Sequence, residues 1–573
     1  MRIKQREQHV SLKTETYPSI LNRIFSARGI TDEEALDKRL TALISFAELK
    51  DIQKACERLA RAIRHDETIL VIGDFDADGA TSTALAVSAL KTLGAKQVHF
   101  LVPNRFEFGY GLTPAIVDVA KARKPHLIVT VDNGIASIEG VARANELGID
   151  VVVTDHHLPG DISPEAYAIV NPNQHGCPFP SKSIAGVGVI FYVMLALRRH
   201  LVDTGWFDEA NIEAPNMAQF LDLVALGTVA DVVGLDKNNR ILVSQGVARI
   251  QQGKTRPGIL ALIKVAGREV SRLRESDLGF SIAPRLNAAG RLDDMSLGIT
   301  CLLSESFEIA LNLAERLDEL NQERRLIETE MKGQAMTVLN TLAEKVGSSH
   351  SLPIALCLTD ESWHQGVIGI LAGRLKERFH RPVIIFAAVG EGELKGSARS
   401  VNGVNIRDIL ADIDVSKPGL ITKFGGHAMA AGLSIQADNF KTFREAFVNE
   451  VSKHLKPSDC EGVILSDGPL TKEELSMPVA KLIQQAGPWG QHFPEPVFDN
   501  TFEIIEQRLV GKNHLKLTLS FPDDPQFIDA IAFNVDTNIW PNHRAKHVHI
   551  AYKLDINVYQ NREKLQLIVE SLV

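Results

Sequence analysis

The chain has 573 residues, 45% of them hydrophobic and 23% charged, with a formal net charge of −9. The length exceeds what one hydrophobic core usually supports, so two to four domains are expected. The acidic sum does not exclude a nucleic-acid partner, because binding follows local potential and not the total.

The first residues, MRIKQREQHVSLK, lack the apolar core of a signal peptide. The longest apolar stretch, Val187–Leu197, is about half of the roughly 20 residues a spanning helix needs. A cytoplasmic protein is therefore expected, with no membrane association. Five cysteines (Cys56, Cys177, Cys301, Cys357, Cys460) are scattered without a CxxC pair. That excludes a disulfide framework or a zinc ribbon and leaves reduced, structural thiols.

In chain order, residues 1 to about 50 are polar, with a helix expected near Asp32–Leu49 that packs against the first domain. From about 51 to 300 the pattern is strand, loop, helix, repeated, which describes a parallel α/β domain. Within it, Ala218–Leu226 reads as helical with Asp231 just past its end, and residues 236–300 read as mostly helical. A long charged helix is expected over about 305–342, its apolar seam formed by Ile309, Leu313, Leu317, Leu320, Ile327 and Met331. A second α/β lobe follows, with a strand at Pro353–Leu358, a helix to about Phe379 and a strand at Val383–Phe386. After about residue 458 the pattern changes to short alternating strands at His514–Phe521, Ile528–Val535, His547–Val558 and Leu565–Leu572, which fits a small β-barrel.

Three apolar runs in the first domain end abruptly in polar groups. Thr68–Gly73 leads into Asp74-Phe75-Asp76-Ala77-Asp78-Gly79, Leu127–Val131 into Asp132-Asn133-Gly134, and Val151–Thr154 into Asp155-His156-His157. Continuous β-branched runs read as buried parallel strands, and ligands of such sheets gather beyond the strands' carboxyl ends. One isolated aspartate after a strand is more often a helix cap. Three such ends within roughly 90 residues bring at least five carboxylates and two imidazoles to one rim, and cations must neutralise them. Oxygen ligands mixed with imidazole and no thiolate suit Mn²⁺ or Mg²⁺ better than structural zinc. A two-metal hydrolase of phosphate esters is the chemistry this predicts.

Asp74–Gly79 together with Asp155-His156-His157 resembles the DHH phosphoesterase superfamily, and specifically its bacterial 5′→3′ exonucleases of single-stranded DNA. The resemblance continues in order through Arg105–Leu112, Leu226–Leu235, Pro284–Arg291, Trp363–Gly366, Gly396–Ser400 and Gly425–Gly432. Many relatives carry histidine two residues before the first aspartate, where this chain has Ile72.

The resemblance implies an α/β fold of five parts: an N-terminal segment (1–50), a parallel-sheet DHH domain (51–300), a connecting helix (301–345), a second α/β lobe of DHHA1 type (346–457) and an oligonucleotide-binding (OB) barrel (458–573). It implies Asp76, Asp78, Asp132, His156 and Asp231 as metal ligands, with Asp132 bridging two ions of Mn²⁺ or Mg²⁺. Asp74 and Asp155 are placed as further ligands or as groups that orient the imidazoles, and His157 as a contact to the substrate phosphate. The substrate-holding residues would be Arg105, Arg285, Asn287 and Arg291 on the first lobe and His364, Ser397, Arg399 and His427 on the second. The implied partners are single-stranded DNA with a 5′ end, a single-strand-binding protein and a RecQ-type helicase, and the implied state is a monomer. The main alternative is a DHH phosphodiesterase of short oligonucleotides or cyclic dinucleotides. A fork component that has lost its metals would show substituted motif carboxylates, and here they are intact.

Overall fold

Ile69-Leu70-Val71-Ile72 has no polar side chain on either face, and such a segment is stable only between two apolar layers. In the computed structural model it is β2 (Ile69–Ile72), preceded by the short strand β1 (Arg2–Gln5) and followed by β3 (Val98–Leu101), β4 (Leu127–Val131), β5 (Asp150–Thr154) and β6 (Ala168–Val170). Residues 2–7, 12, 16–104, 108, 111–346, 352–390, 392–522, 526–560 and 562–573 are described. They form two units, one of residues 5–321 and 466–572, the other of residues 1–4, 322–465 and 573.

In the first unit β2 to β6 form a parallel sheet in the order β3-β2-β4-β5-β6. Ile69 and Val71 face one apolar cluster, which includes residues of the helices Ala77–Thr92, Gly186–Asp203 and Leu221–Ala230. Leu70 and Ile72 face a second cluster, beneath Pro114–Lys121 and Ile138–Glu146. Ile72 therefore packs against apolar neighbours and offers no ligand atom. The chain leaves β2 toward β3 and then returns across it to β4, so the strand order reverses between β2 and β4, where ligands of such sheets bind.

The N-terminal part departs from expectation. In place of one helix over Asp32–Leu49 there are three 3₁₀ turns, Glu34–Leu36, Leu40–Ala42 and Phe46–Glu48. Asp32, Asp37 and Ser45 each accept a hydrogen bond from a backbone N–H two or three residues on, and such local bonds compete with a continuing helix. The helix Ser19–Ser26 packs on the segment that leads to the barrel. Phe25 stacks on Trp489 (6.4 Å) and Phe493 (6.3 Å), and the buried Arg28 pairs with the buried Asp467 at 2.8 Å.

The barrel is closed, β13 (Phe498–Val510), β14 (His514–Ser520), β15 (Ile528–Ala532), β16 (His547–Tyr559) and β17 (Arg562–Leu572), in the order β13-β14-β15-β17-β16. Its core residues Phe498, Phe502, Leu517 and Tyr552 belong to the same contiguous cluster as Ile69 and Val71. Barrel and parallel sheet thus share one hydrophobic core.

The helix expected over 305–342 runs Phe307–Val346. Its buried apolar positions are Ala310, Ala314 and Leu317, then Met331, Ala335 and Leu339, while Ile309 is exposed. The small residues set the seam because they let neighbours approach closely. The second unit holds β7 (Leu356–Asp360), β8 (Val383–Ala388), β9 (Glu393–Arg399), β10 (Lys423–Gly426) and β11 (Ala430–Gln436) in the order β10-β11-β9-β8-β7. β7 and β8 are parallel and the other pairs antiparallel. A last strand, β12 (Val463–Ser466), pairs with β1.

Candidate metal centre

The turn after β2 and the turn after β4 flank the point where the strand order reverses. Asp74 follows β2 after Gly73. Asp76 caps the helix Ala77–Thr92, its carboxylate accepting the Gly79 N–H at 3.0 Å. Asp78 lies in that helix's first turn and also accepts the Gly186 and Val187 N–H groups, at 2.7 and 3.0 Å, at the start of the helix Gly186–Asp203. Two positive helix ends thus meet the cluster, which favours negative charge there. Asp132 follows β4 in the left-handed region, φ 61°, uncommon for a residue with a side chain and frequent at functional sites. His156 follows β5, and Asp231 is the C-cap of the helix Leu221–Ala230.

Their ligand atoms converge. Asp74, Asp76 and Asp132 bring oxygens within 4.8 Å of one another, as do the atoms of Asp78, His156 and Asp231, and those of Asp132, His156 and His157. Asp132 and His156 each belong to two of these groups. The His156 Nε2 lies 3.1 Å from Asp132 Oδ1 and 3.5 Å from Asp231 Oδ2. Of the seven residues expected to hold metal, six come together here.

Asp155 stands outside these groups, its oxygens already engaged. One accepts the N–H groups of His156 (2.7 Å) and His157 (3.1 Å) and meets His157 Nδ1 at 2.7 Å; the other accepts the Ile135 N–H at 2.9 Å. The carboxylate thereby fixes the backbone of both histidines and the ring of His157.

Electrostatics divide the aspartates. Burial, and then the charges of Asp78, Asp76, Asp231 and Asp74, push Asp132 well above the usual carboxylate range. Burial and the charge of Asp78 push Asp231 up, and burial with Asp76 pushes Asp78 to about 7. Asp155 moves the other way: burial opposes its ionisation, but the His157 hydrogen bond and the charges of both histidines hold it low. Burial works against a charged His157, yet Asp155, Asp231 and Asp74 together raise it to about 9. Crowded oxygen ligands with raised affinity for protons, one imidazole and no thiolate make a donor set that suits Mn²⁺ or Mg²⁺.

The Pro284–Arg291 segment supports the first aspartate motif. Asn287 Oδ1 accepts the Ala77 N–H at 2.8 Å. A Cβ at Gly290 would meet the Phe75 carbonyl oxygen at 1.8 Å, so that helix lies flush against the motif, with Arg291 beside it. Arg285 is tied down elsewhere, to Asp318 at 2.8 Å and to the Ser281 carbonyl. Arg105 lies outside the described residues.

Sequence reasoning passed over Asn171 and Asn173. Asn171 Nδ2 donates to the His157 carbonyl at 2.9 Å and Asn173 Nδ2 to the His156 carbonyl at 2.6 Å. The tripeptide Asn171-Pro172-Asn173 directly after β6 was a fourth polar strand end and could have been read as one.

In the second unit, Arg399 and Ser397 close β9, and Arg399 Nη1 lies 3.2 Å from Ser397 Oγ. They stand against the start of the helix Ile368–Phe379, where a Cβ on Gly369 would come within 3.1 Å of both side chains. Burial alone lowers the Arg399 pKa, and among the described residues no carboxylate pairs with it. A guanidinium, a hydroxyl and a helix N-terminus are each groups that can bind an anion. His364 Nδ1 accepts the Gly366 N–H at 3.1 Å, and His427 is exposed on the turn between β10 and β11. Several arginines outside these motifs are paired locally, as in Arg199–Asp203, Arg268–Asp277 and Arg374–Glu328.

A switch-point cluster of this make-up defines a metal-dependent phosphoesterase of DHH type. The family model described as "DHH family, N-terminal domain" matches residues 68–228, "DHHA1 domain" matches 351–453 and "RecJ OB domain" matches 466–571. The single-stranded-DNA-specific exonuclease RecJ of Escherichia coli (strain K12) is 54% identical over 555 residues, covering 97% of this chain and 96% of its own. That of Haemophilus influenzae is 48% identical over 570 residues, covering 99% and 98%. The chain belongs to the RecJ family of single-stranded-DNA-specific exonucleases. Among solved structures, Thermus thermophilus RecJ in complex with Mn²⁺ superposes with a TM-score of 0.79 at 28% identity, covering 100% of this chain and 80% of its own. The same protein in complex with Mg²⁺ gives 0.74 at 26%, covering 100% and 78%.

Proposed function

We propose that the protein hydrolyses single-stranded DNA from its 5′ end, releasing mononucleotides, in DNA recombination and repair. The observation that carries the reading is the meeting of two ligand groups at the switch point, one with Asp132 and one with His156, whose Nε2 lies 3.1 Å from Asp132 Oδ1. Asp74, Asp76 and Asp132 would hold one ion and Asp78, His156 and Asp231 the other, with Mn²⁺ or Mg²⁺ as the metal. Bound there, the pair would supply a water of lowered pKa and neutralise charge on the phosphate.

The chain's own groups do the rest. His157, kept protonated by Asp155, offers a cation to a phosphate oxygen. Arg399 and Ser397, with the helix start at Ile368, suit a terminal phosphate, whose extra charge distinguishes it from an internal diester. The barrel suits an upstream grip on unpaired strand. A single-strand-binding protein and a RecQ-type helicase are the partners this role calls for, since one holds and the other produces unpaired strand, and a monomer in the cytoplasm fits it.

The test is degradation of end-labelled single-stranded DNA, with duplex DNA and a dinucleotide as competing substrates and Mn²⁺ or Mg²⁺ varied. Labelled mononucleotide should appear first from the 5′ end of the single strand. Preference for the dinucleotide would favour the short-oligonucleotide phosphodiesterase instead.

A further inference from the structure

The segment that follows Asp231 carries features the metal centre does not use. Val232 lies in the left-handed region, φ 59°, a conformation that β-branched residues adopt only where the surrounding structure imposes it. Its side chain is nevertheless 65% exposed. Phe280, 82% exposed, stands on the π-helical turn Leu278–Ile282, and such turns are frequent at functional sites. Both residues line one cavity of about 380 Å³, together with Val229, Pro494 and the ring of Trp489.

The charges at its margin exclude a phosphate as occupant. Lys553 is paired with Glu495 and Glu570, each at 3.3 Å, and Arg274 with Asp555 at 3.1 Å. What remains is an apolar slot with an exposed aromatic face, suited to a flat, uncharged group. Its wall includes Ala230 and Val232, the two chain neighbours of Asp231, whose carboxylate is grouped with Asp78 and His156. The slot and the metal centre thus draw on adjoining residues of one segment, which places a base near a phosphate at the metal centre beside this slot.

We propose that Phe280 and Val232 form a stacking pocket for one unpaired nucleobase of the substrate, beside the metal centre. The proposal rests on the exonuclease reading above. Base stacking on an aromatic side chain is tolerant of sequence and adds grip without base-specific hydrogen bonds, which an enzyme that consumes any single strand requires.

The test places 2-aminopurine at successive positions of a 5′-phosphorylated strand whose terminal linkages are phosphorothioates, so that it stays intact on the full-length protein. Fluorescence should be quenched at one or two adjacent positions. Phe280→Ala should abolish that quenching and raise KM for single-stranded DNA roughly tenfold, within the range a lost base–aromatic stack costs. Phe280→Trp should restore both, and Val232→Gly, which relieves the backbone strain, should weaken the quenching while leaving the thermal midpoint at or above wild type. Unchanged quenching and KM in Phe280→Ala would overturn the pocket. A wild-type protein that quenches 2-aminopurine but degrades no single-stranded DNA would overturn the exonuclease reading and leave the pocket standing.

Discussion

The imidazole of His156 and the carboxylate of Asp132 meet beyond the ends of β5 and β4, with Nε2 3.1 Å from Oδ1. Each also belongs to a ligand group without the other, so the pair joins two half-sites. Replacing Asp132 by alanine removes an oxygen from the group with Asp74 and Asp76 and takes away the carboxylate beside His156 in the other. We expect hydrolysis to fall by several decades, the scale of a lost metal centre, with the fold retained and DNA binding still measurable. Activity above about a tenth of wild type in single-turnover assays would remove Asp132 from that role.

Asp155 should act through the histidines it holds. In Asp155→Asn the imidazole loses its charged partner, so the His157 pKa should fall from about 9 toward 6.5, as read by NMR titration. Folded-state stability at neutral pH should drop by about 2 kcal/mol, the scale of a broken buried network. The direction with pH follows from the depressed Asp155 pKa: its contribution is present above the ordinary carboxylate value and lost as pH falls through the folded one. A His157 titration unmoved by the substitution would mean that other groups set it.

Metal and protons should compete for the cluster. Asp78 is raised from 3.8 to about 7, and Asp132 and Asp231 are raised as well. The metal-free folded protein therefore keeps protons that the unfolded chain releases, and its stability falls as pH rises from about 4 to about 7. Divalent ions replace those protons, so the gap in thermal midpoint between Mn²⁺-loaded and chelated protein should widen from about pH 5 to about pH 8. A gap that narrows over that range contradicts the assignment.

Arg399 should read the terminal phosphate. Arg399→Ala is expected to erase the preference for 5′-phosphate over 5′-hydroxyl ends, a loss of about 1.5–3 kcal/mol per charge-assisted bond. The ratio of kcat/KM on the two substrates measures it. If both rates fell together at a constant ratio, Arg399 would instead contact the strand generally or support the lobe.

Removing residues 466–573 should cripple more than strand binding. Phe25 and Arg28 lose Trp489, Phe493 and Asp467, and the parallel sheet loses part of its shared core. We expect a fall in thermal midpoint of roughly 10 °C or more for the remainder. A truncated chain that melts like wild type would show that the barrel is an independent appendage.

The strand ends that carry the chemistry were legible because their β-branched runs are continuous and stop sharply at Asp74, Asp132 and Asp155. What escaped was less regular. β13 buries only Phe498 and Phe502 fully, four residues apart, and a bulge between Ile504 and Glu506 breaks its alternation, so no period of two is visible. The seam of Phe307–Val346 was read from its large residues, of which Leu317 and Met331 are buried, but Ala310, Ala314 and Ala335 line it as well. The union of barrel and catalytic sheet rests on pairs such as Phe25 with Trp489, too far apart in the chain for any local pattern to reveal. Within the site, ligand types could be read from composition, but the saturation of Asp155 depends on the exact position of the Ile135 N–H.

Some positions without functional groups belong to the active site as firmly as the aspartates do. An added Cβ at Gly186 would lie 2.7 Å from the Asp132 carboxylate, and one at Gly227 would lie 2.8 Å from Asp78 Oδ1. Alanine is the gentlest substitution in most helices, yet at these two helical positions it would push on oxygens of the proposed metal centre. In a survey of natural or random variants, Gly186→Ala and Gly227→Ala should therefore group with the loss-of-activity alleles and not with the tolerated ones, although neither residue can bind, donate or accept through a side chain.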